Sequence, residues 1–160
     1  MSELSEFTRP VRYFLRFYQW RRIDPVPWTP LSKPLEECNL GLISTAGFVG
    51  PHQKPFDATV KGGDPSYRTI VNDIEVSELR EHHRSESFDH TGLAADPNLA
   101  FPIDRVRELV SRGRIGSANG RHLSFMGSVT APGKLRREII PEAAQVFEDD
   151  GIDVALLVPV

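Results

Sequence analysis

The chain lacks the residue types on which several classes of protein depend. It has one cysteine, Cys38, so it can form neither an internal disulfide nor a C-x-x-C redox or zinc motif. Its net charge of −3 argues against a general nucleic-acid-binding face. No run approaches the roughly 18 apolar residues that span a bilayer, and the start MSELSEFTRP has no apolar segment of a secretory signal. These absences predict a cytoplasmic protein with neither a nucleic-acid nor a membrane partner.

The N-terminal part differs in composition from the rest. Residues 1–35 hold the segment RPVRYFLRFYQWRR and then the proline-rich arm DPVPWTPLSKP. Phe14, Phe17 and Tyr18 follow helical spacing, which predicts an amphipathic helix whose aromatic face packs on the domain. A membrane surface or a polyanion is the alternative partner for this helix. The sequence therefore predicts an N-terminal helix and arm, followed by one domain over residues 36–160.

The second half reads as helix, strand, helix, strand. FPIDRVRELVSRGRIG is a helix that stops at Gly113, and a strand follows from Arg121 to Val129. The next helix is interrupted at Pro141 and stops at Gly151, before the last strand, DVALLVPV. The apolar runs are continuous, as in parallel strands that are buried on both faces. This pattern predicts a doubly wound α/β fold: a mostly parallel sheet with helices on both faces, and an irregular N-terminal half.

Titratable residues concentrate in a polar stretch, ELREHHRSESFDHTGLAADPN. It contains His82, His83, Asp89 and His90. Adjacent histidines rarely point to one metal ion and no H-x-x-x-H pair is present, so no metal is predicted. Asp89 with His90 is the candidate acid/base pair, because histidine titrates near neutral pH. The alternative is that these are solvated loop residues.

A short strand, CNLGLIS, leads into the small-residue turn TAG, Thr45 to Gly47. This resembles the ligand-side turn of an open α/β sheet, but G-x-G-x-x-G is absent, so a dinucleotide is not predicted. His122 and Ser124 lie on the strand RHLSFMG, where His122 either faces a site or is a satisfied strand-end histidine. Thr45, Gly47, His122 and Ser124 are the candidate substrate-binding residues, by their position at strand ends.

Several phrases together resemble one known family. LISTAGFVGPHQKPFD, GDPSYR, FDHTGLAADPNLAFPIDRVRELVSRGRIG, RHLSFMG and DVALLVPV occur in the order seen in the selenoprotein B family. That family comprises component B of glycine, sarcosine and betaine reductases and the related D-proline reductase. The resemblance covers the chain from about Leu42 to Val160. It implies a cytoplasmic reductase that cleaves a C–N bond in a small amino acid or amine, with a thiol or dithiol as electron donor.

The resemblance also implies two reactive groups that this sequence does not contain. A partner subunit carries a pyruvoyl group, and a selenocysteine or cysteine follows the strand that resembles DVALLVPV. The nucleophile is therefore expected just after Val160, beyond the carboxyl end of a strand. We expect a UGA codon there, read as a stop. The alternative is a short, non-catalytic homologue that binds a partner subunit or another copy of itself; Cys38 precedes a different strand and does not replace the nucleophile.

Overall fold

The computed structural model describes residues 8–18, 22–85 and 90–160, which form two compact units divided between Pro30 and Leu31. Within these ranges no helix has the length and apolar character to cross a membrane. The helices are α1 (Arg9–Phe17), α2 (His90–Ala95), α3 (Ile103–Ser111) and α4 (Ile140–Asp149). The strands are β1 (Asn39–Ser44), β2 (Phe48–Val49), β3 (Tyr67–Val71), β4 (Arg80–Glu81), β5 (Ser117–Ala118), β6 (Arg121–Phe125) and β7 (Val154–Val158).

The N-terminal unit contains the predicted amphipathic helix, in a shorter form. Helix α1 ends at Phe17 because Tyr18 adopts an extended conformation, with ψ of 123°. Aromatic rings four residues apart contact each other along the helix. The centroids of Tyr13 and Phe17 are 4.7 Å apart, and those of Phe14 and Tyr18 are 5.4 Å apart.

A mostly parallel sheet forms the second unit, as the sequence predicts. The central strand β1 pairs in parallel with β5, β6 and β7. Its residue Ile43 pairs with Leu123 of β6 and with Leu157 of β7, so these two strands flank β1 on opposite sides. β3 adds an antiparallel edge next to β6, which the sequence pattern did not reveal. The order across the sheet is β3, β6, β1, β7. The short strand β5 lies on the same side of β1 as β6 and pairs with the amino end of β1.

Helices cover both faces of the sheet. On one face Val106 of α3 packs on Leu40 of β1, and on the other Phe147 of α4 packs on Leu123 of β6. The second helix approaches so closely that an ideal Cβ on Gly41 would lie 2.7 Å from the Phe147 ring. The α/β class and the two-sided arrangement of helices are therefore confirmed.

The last strand differs from its prediction. β7 was expected to be buried on both faces, but Leu156 is 37% exposed and Leu157 is 64% exposed. In the described part of the chain β7 pairs only with β1, so it forms an edge of the sheet. A run of apolar residues is compatible with both positions, which is why the sequence pattern gave the wrong burial.

Two further boundaries differ from the sequence prediction. β6 ends at Phe125 instead of Val129, because Gly127 (φ 68°) and Ser128 (φ 46°) turn the chain out of the sheet. The polar stretch from residue 78 to residue 98 is not one continuous loop, since it contains β4, which pairs with β2, and the helix α2. The restart at Pro141 is confirmed, since a π-helical turn precedes α4 and the proline occupies its first turn.

Candidate functional site at the carboxyl ends of the strands

The order of the strands defines where a ligand site is expected. After β1 the chain forms β6 on one side of β1, and later it forms β7 on the other side. The strand order therefore reverses between β1 and β7. Open α/β sheets bind ligands at such a switch point, beyond the carboxyl ends of the strands. In this protein the turn at Thr45 follows the carboxyl end of β1, and the segment after Val158 follows the carboxyl end of β7.

Thr45 ties the end of β7 to the end of β1. The Thr45 amide donates to the carbonyl of Val158 at 3.2 Å, which continues the ladder between the strands by one residue. The Val160 amide then donates to Thr45 Oγ1 at 2.9 Å, and the same hydroxyl donates to the Val160 carbonyl at 3.4 Å. One side chain therefore fixes the direction in which the chain leaves β7.

We expect Thr45→Val to release this end of β7. Valine keeps the shape of threonine but removes both hydroxyl bonds to Val160, which costs roughly 1–2 kcal/mol of stability. The measurement is amide hydrogen exchange at Val160, which should lose protection. Thr45→Ser retains the hydroxyl and serves as the control; equal Val160 protection in the valine and serine variants contradicts the assignment.

Gly47 joins this turn to two other segments. Its amide donates to the carbonyl of Phe125 at 2.8 Å, and its carbonyl accepts from the His82 amide at 2.9 Å. An ideal Cβ at Gly47 would lie 2.8 Å from the His83 amide nitrogen, so a side chain has no room there. The TAG turn, the end of β6 and the start of the histidine-rich segment therefore form one packed layer.

His83 lies at the strand ends, next to Gly47 and Gly127. Its Nδ1 accepts a hydrogen bond from the Ser85 amide at 3.1 Å, so in the neutral ring the proton is on Nε2. Burial lowers the pKa of His83, and the nearby Glu81 charge opposes this shift. An ideal Cβ on Gly127 would lie 2.9 Å from His83 Nε2 and 2.5 Å from the Thr45 carbonyl oxygen. A neutral, proton-bearing imidazole therefore packs beside the Thr45 turn.

His90 contacts the carboxylate of Glu81. Its Nδ1 lies 2.7 Å from Glu81 Oε2, and its Nε2 lies 2.8 Å from the Ser85 carbonyl oxygen. The second Glu81 oxygen accepts a hydrogen bond from the His83 amide. Asp89 lies outside the described residues, so its pairing with His90 stays a prediction.

His122 is part of the protein interior. It is fully buried, its Nδ1 accepts from the Leu42 amide at 3.1 Å, and its Nε2 donates to Asn72 Oδ1 at 3.0 Å. Burial, and next the Arg107 charge, lower the pKa of His122 to about 4. Both ring nitrogens are engaged by the fold, which supports the satisfied strand histidine over a ligand-facing one.

Ser124 stands in register with Ser44 near the carboxyl end of β6. Both side chains are fully buried. Ser44 Oγ accepts from the Ala46 amide at 3.1 Å, whereas Ser124 Oγ has no hydrogen-bond partner among the residues that the structure describes. Buried hydroxyls are nearly always bonded, so Ser124 is an exception; its side chain has no exposed surface and so does not face an open ligand site.

Comparison with known proteins places the chain in a family. The family model described as "Glycine/sarcosine/betaine reductase selenoprotein B" matches residues 12–159. The chain belongs to this family. The resemblance seen in the sequence motifs is thereby confirmed.

Three curated members of the selenoprotein B family illustrate the relationship. The D-proline reductase subunit gamma of Acetoanaerobium sticklandii is 32% identical over 136 residues, which are 84% of this chain and 54% of that protein. The sarcosine reductase complex component B subunit beta of Peptoclostridium acidaminophilum is 26% identical over 71% of this chain and 26% of its own length. The glycine reductase complex component B subunit gamma of Symbiobacterium thermophilum is 25% identical over 84% of this chain and 32% of its own length. The chain thus spans about half or less of each relative, and no solved structure matches it.

In this member of the selenoprotein B family, Cys38 lies far from the strand ends that carry Thr45. Cys38 lies directly before β1, at the amino end of this strand, whereas Thr45 follows its carboxyl end. The Cys38 thiol donates to the Pro34 carbonyl at 3.3 Å. Within the described ranges no three His, Cys, Asp or Glu side chains form a metal-binding group, and the absence of a metal cofactor stays a prediction.

The contacts of Glu81, His83 and Gly127 were not predicted from the sequence. His83 was recognised in the titratable cluster, but Asp89 with His90 was preferred as the acid/base pair because histidine titrates near neutral pH. A usable signal was the alternation of side chains in an extended segment, which separates His82 from His83. Nothing in the sequence marked Gly127, because its role depends on contacts with Thr45 and His83.

Proposed function

We propose that this chain forms the first part of a cytoplasmic reductase subunit that cleaves a C–N bond in a substrate of the glycine, sarcosine, betaine or D-proline class. The observation that carries the proposal is the family match over residues 12–159. The relatives are named as subunits of reductases for D-proline, sarcosine and glycine. In the net reaction two thiols become a disulfide, their two electrons and one of their two protons pass to the carbon that carried nitrogen, and the amine nitrogen departs from that carbon with the other proton.

The strand ends of this chain fit a nucleophile placed directly after Val160. A selenocysteine or cysteine there supplies a soft nucleophile that is readily ionised near neutral pH. Thr45 holds the preceding residue by two hydrogen bonds and so fixes where such a side chain emerges. His83 packs beside the same turn. By these hydrogen bonds Thr45 orients the nucleophile, and the thiols supply the proton for the departing amine.

The proposal includes a second subunit. The relatives from sarcosine and glycine reductase are components of complexes, which supports partner subunits in general. We assign to the partner a pyruvoyl group, whose carbonyl takes up a substrate amine where one is present. A thiol or dithiol protein serves as the electron donor.

The experiment that tests this function is to read the genomic DNA beyond the Val160 codon. We expect an in-frame UGA or cysteine codon, a short spacer, a further cysteine codon and more coding sequence. The longer product, expressed with its partner subunit, should reduce one of the four substrates with dithiothreitol, and replacement of the residue after Val160 by serine should abolish turnover. Cys38→Ser is the matched control and should retain activity; a UAA or UAG codon contradicts the proposal.

A second candidate function is that of a non-catalytic subunit that binds a partner or another copy of itself. The exposed edge of β7, where Leu157 is 64% exposed, favours it, because an unpaired strand edge is a template for pairing. A UAA or UAG codon after Val160 selects this candidate. Turnover by the chain without added subunits excludes it.

A further inference from the structure

The N-terminal unit carries an apolar surface that the proposed reaction does not use. No residue of α1 is buried. An isolated exposed apolar side chain is common on proteins, whereas a contiguous set of them marks an interaction surface. The exposed set, called here the aromatic face of α1, is between 41% and 69% exposed and consists of Val11, Tyr13, Phe14, Phe17 and Tyr18.

The aromatic face is contiguous and wide. Tyr13 contacts Phe17, and Phe14 contacts Tyr18, at ring-centroid distances of 4.7 Å and 5.4 Å. At 3.6 residues per turn, the apolar residues of α1 cover about 200° of the helix circumference. A stripe of roughly 100° is enough for a helix that packs on a folded core. The aromatic face is therefore wider than docking on a protein domain requires.

The charges of α1 lie opposite its aromatic face. Arg9, Arg12 and Arg16 fall within about 60° of one another around the helix axis, and α1 contains no acidic residue. Residues 1–30 hold five arginines and three acidic residues, a net charge of +2. Because the whole chain has a net charge of −3, residues 31–160 carry −5. The N-terminal unit is thus the part of the chain that an anionic surface attracts.

The proline-rich arm adds exposed apolar groups to the same unit. Ile23, Val26 and Trp28 are each more than half exposed. Aromatic side chains together with arginine are the residue types that occupy the boundary between lipid headgroups and acyl chains. In that boundary the rings enter the apolar layer while the charged side chains contact the headgroups. This composition favours a lipid surface over a groove in a partner protein.

We propose that α1 binds the surface of an anionic lipid bilayer. The helix lies in the plane of the surface, with its aromatic face in the interfacial layer and its three arginines against the lipid phosphates. Bound in this way, α1 holds the subunit at a membrane without crossing it. The carboxyl ends of the strands belong to the other unit, so membrane attachment and the proposed reaction are tested separately.

The test is sedimentation of the full chain with lipid vesicles at low ionic strength. Binding is expected to vesicles made of equal amounts of phosphatidylglycerol and phosphatidylcholine. Vesicles of phosphatidylcholine alone should bind at least tenfold more weakly, because they do not attract the arginines. The chain has two tryptophans, Trp20 and Trp28, both within residues 1–30. A blue shift of their emission on binding therefore reports contact of this unit with the lipid.

One variant tests the rings. Replacing Phe14 and Phe17 together with serine should weaken binding to the anionic vesicles at least tenfold, because less apolar surface enters the interface. Leu99→Ser is the matched control. Leu99 is as exposed as these rings but lies outside the N-terminal unit, so this variant should bind as the unchanged chain does.

A second variant tests the charges and keeps the aromatic face intact. Arg12→Gln with Arg16→Gln should also weaken binding to the anionic vesicles at least tenfold. Its control is Arg105→Gln, which changes an exposed arginine of α3 and should leave binding unchanged. Thermal unfolding of each variant confirms that it is folded.

Four results overturn the inference. The first is that the unchanged chain stays in solution in the presence of the anionic vesicles. The second is equal binding to the two kinds of vesicle. The third is a ring or charge variant that binds the anionic vesicles as tightly as the unchanged chain does. The fourth is that a single-stranded oligonucleotide displaces the chain from the vesicles, which assigns the surface to a polyanion.

Discussion

Replacing Gly127 with alanine is expected to destabilise the protein by about 3 kcal/mol and to abolish the packing of the strand-end layer. Gly127 has φ of 68°, a conformation that costs an L-residue roughly 1–2 kcal/mol. The new Cβ would also lie 2.5 Å from the Thr45 carbonyl oxygen and 2.9 Å from His83 Nε2. Because the first of these atoms belongs to the backbone of the β1 turn, relief requires movement of the turn itself.

Gly113 provides the matched control for this prediction. Its φ is 65°, almost the same as that of Gly127, but an ideal Cβ there meets no atom within 4 Å. Gly113→Ala should therefore show the conformational cost alone, about 1 kcal/mol. Urea denaturation of both variants gives the comparison. Equal losses of unfolding free energy in the two variants show that the close contacts with Thr45 and His83 do not matter.

The second large effect is a loss of folding stability in acid, because unfolding allows His122 to take up a proton. Its pKa is about 4 in the folded protein, against about 6.5 in an unfolded chain. The unfolded state therefore binds a proton that the folded state does not between these pH values, so stability falls as pH falls. The contribution is fully present above pH 6.5, and about 3 kcal/mol is lost by the time the pH reaches about 4.

The measurement compares urea denaturation at pH 7 and pH 5, where most carboxylates keep their charge. The unchanged chain should lose about 2 kcal/mol more than His122→Gln between these pH values. The variant starts from lower stability, because the Leu42 amide and Asn72 lose their partner. NMR titration of the His122 ring in the unchanged chain gives an independent test. A midpoint near 6.5 contradicts the prediction even when the variant does not fold.

Patterns of neighbouring residues predicted the main helices and strands. They also predicted that the candidate site lies at the carboxyl ends of the strands. The strand–turn at Thr45 and Gly47 was found because small residues after an apolar run mark a strand end. The state of His122 was left open by its sequence, because its partners, Leu42 and Asn72, come from other parts of the chain.

Contacts across the fold explain what the sequence could not predict. Glu81, nine residues earlier, places a carboxylate oxygen 2.7 Å from His90 Nδ1, a contact that the sequence did not reveal. The exposure of Leu157 depends on which strands flank β7, and an apolar run does not record that. Local chemistry is visible in a sequence, whereas pairing over long separations appears only in the folded chain.

The central position of β1 also has a consequence for the order of folding. Its amino end is bonded to the segment before β7, and the Asn39 amide and Asp153 carboxylate that meet there are 114 residues apart. Contacts of such high sequence separation slow folding, since a long loop must close before they form. During synthesis, the β7 side of β1 stays unpaired until residues 114 positions later have been made. Until then this side of β1 is open to wrong partners, which makes the nascent chain prone to aggregation.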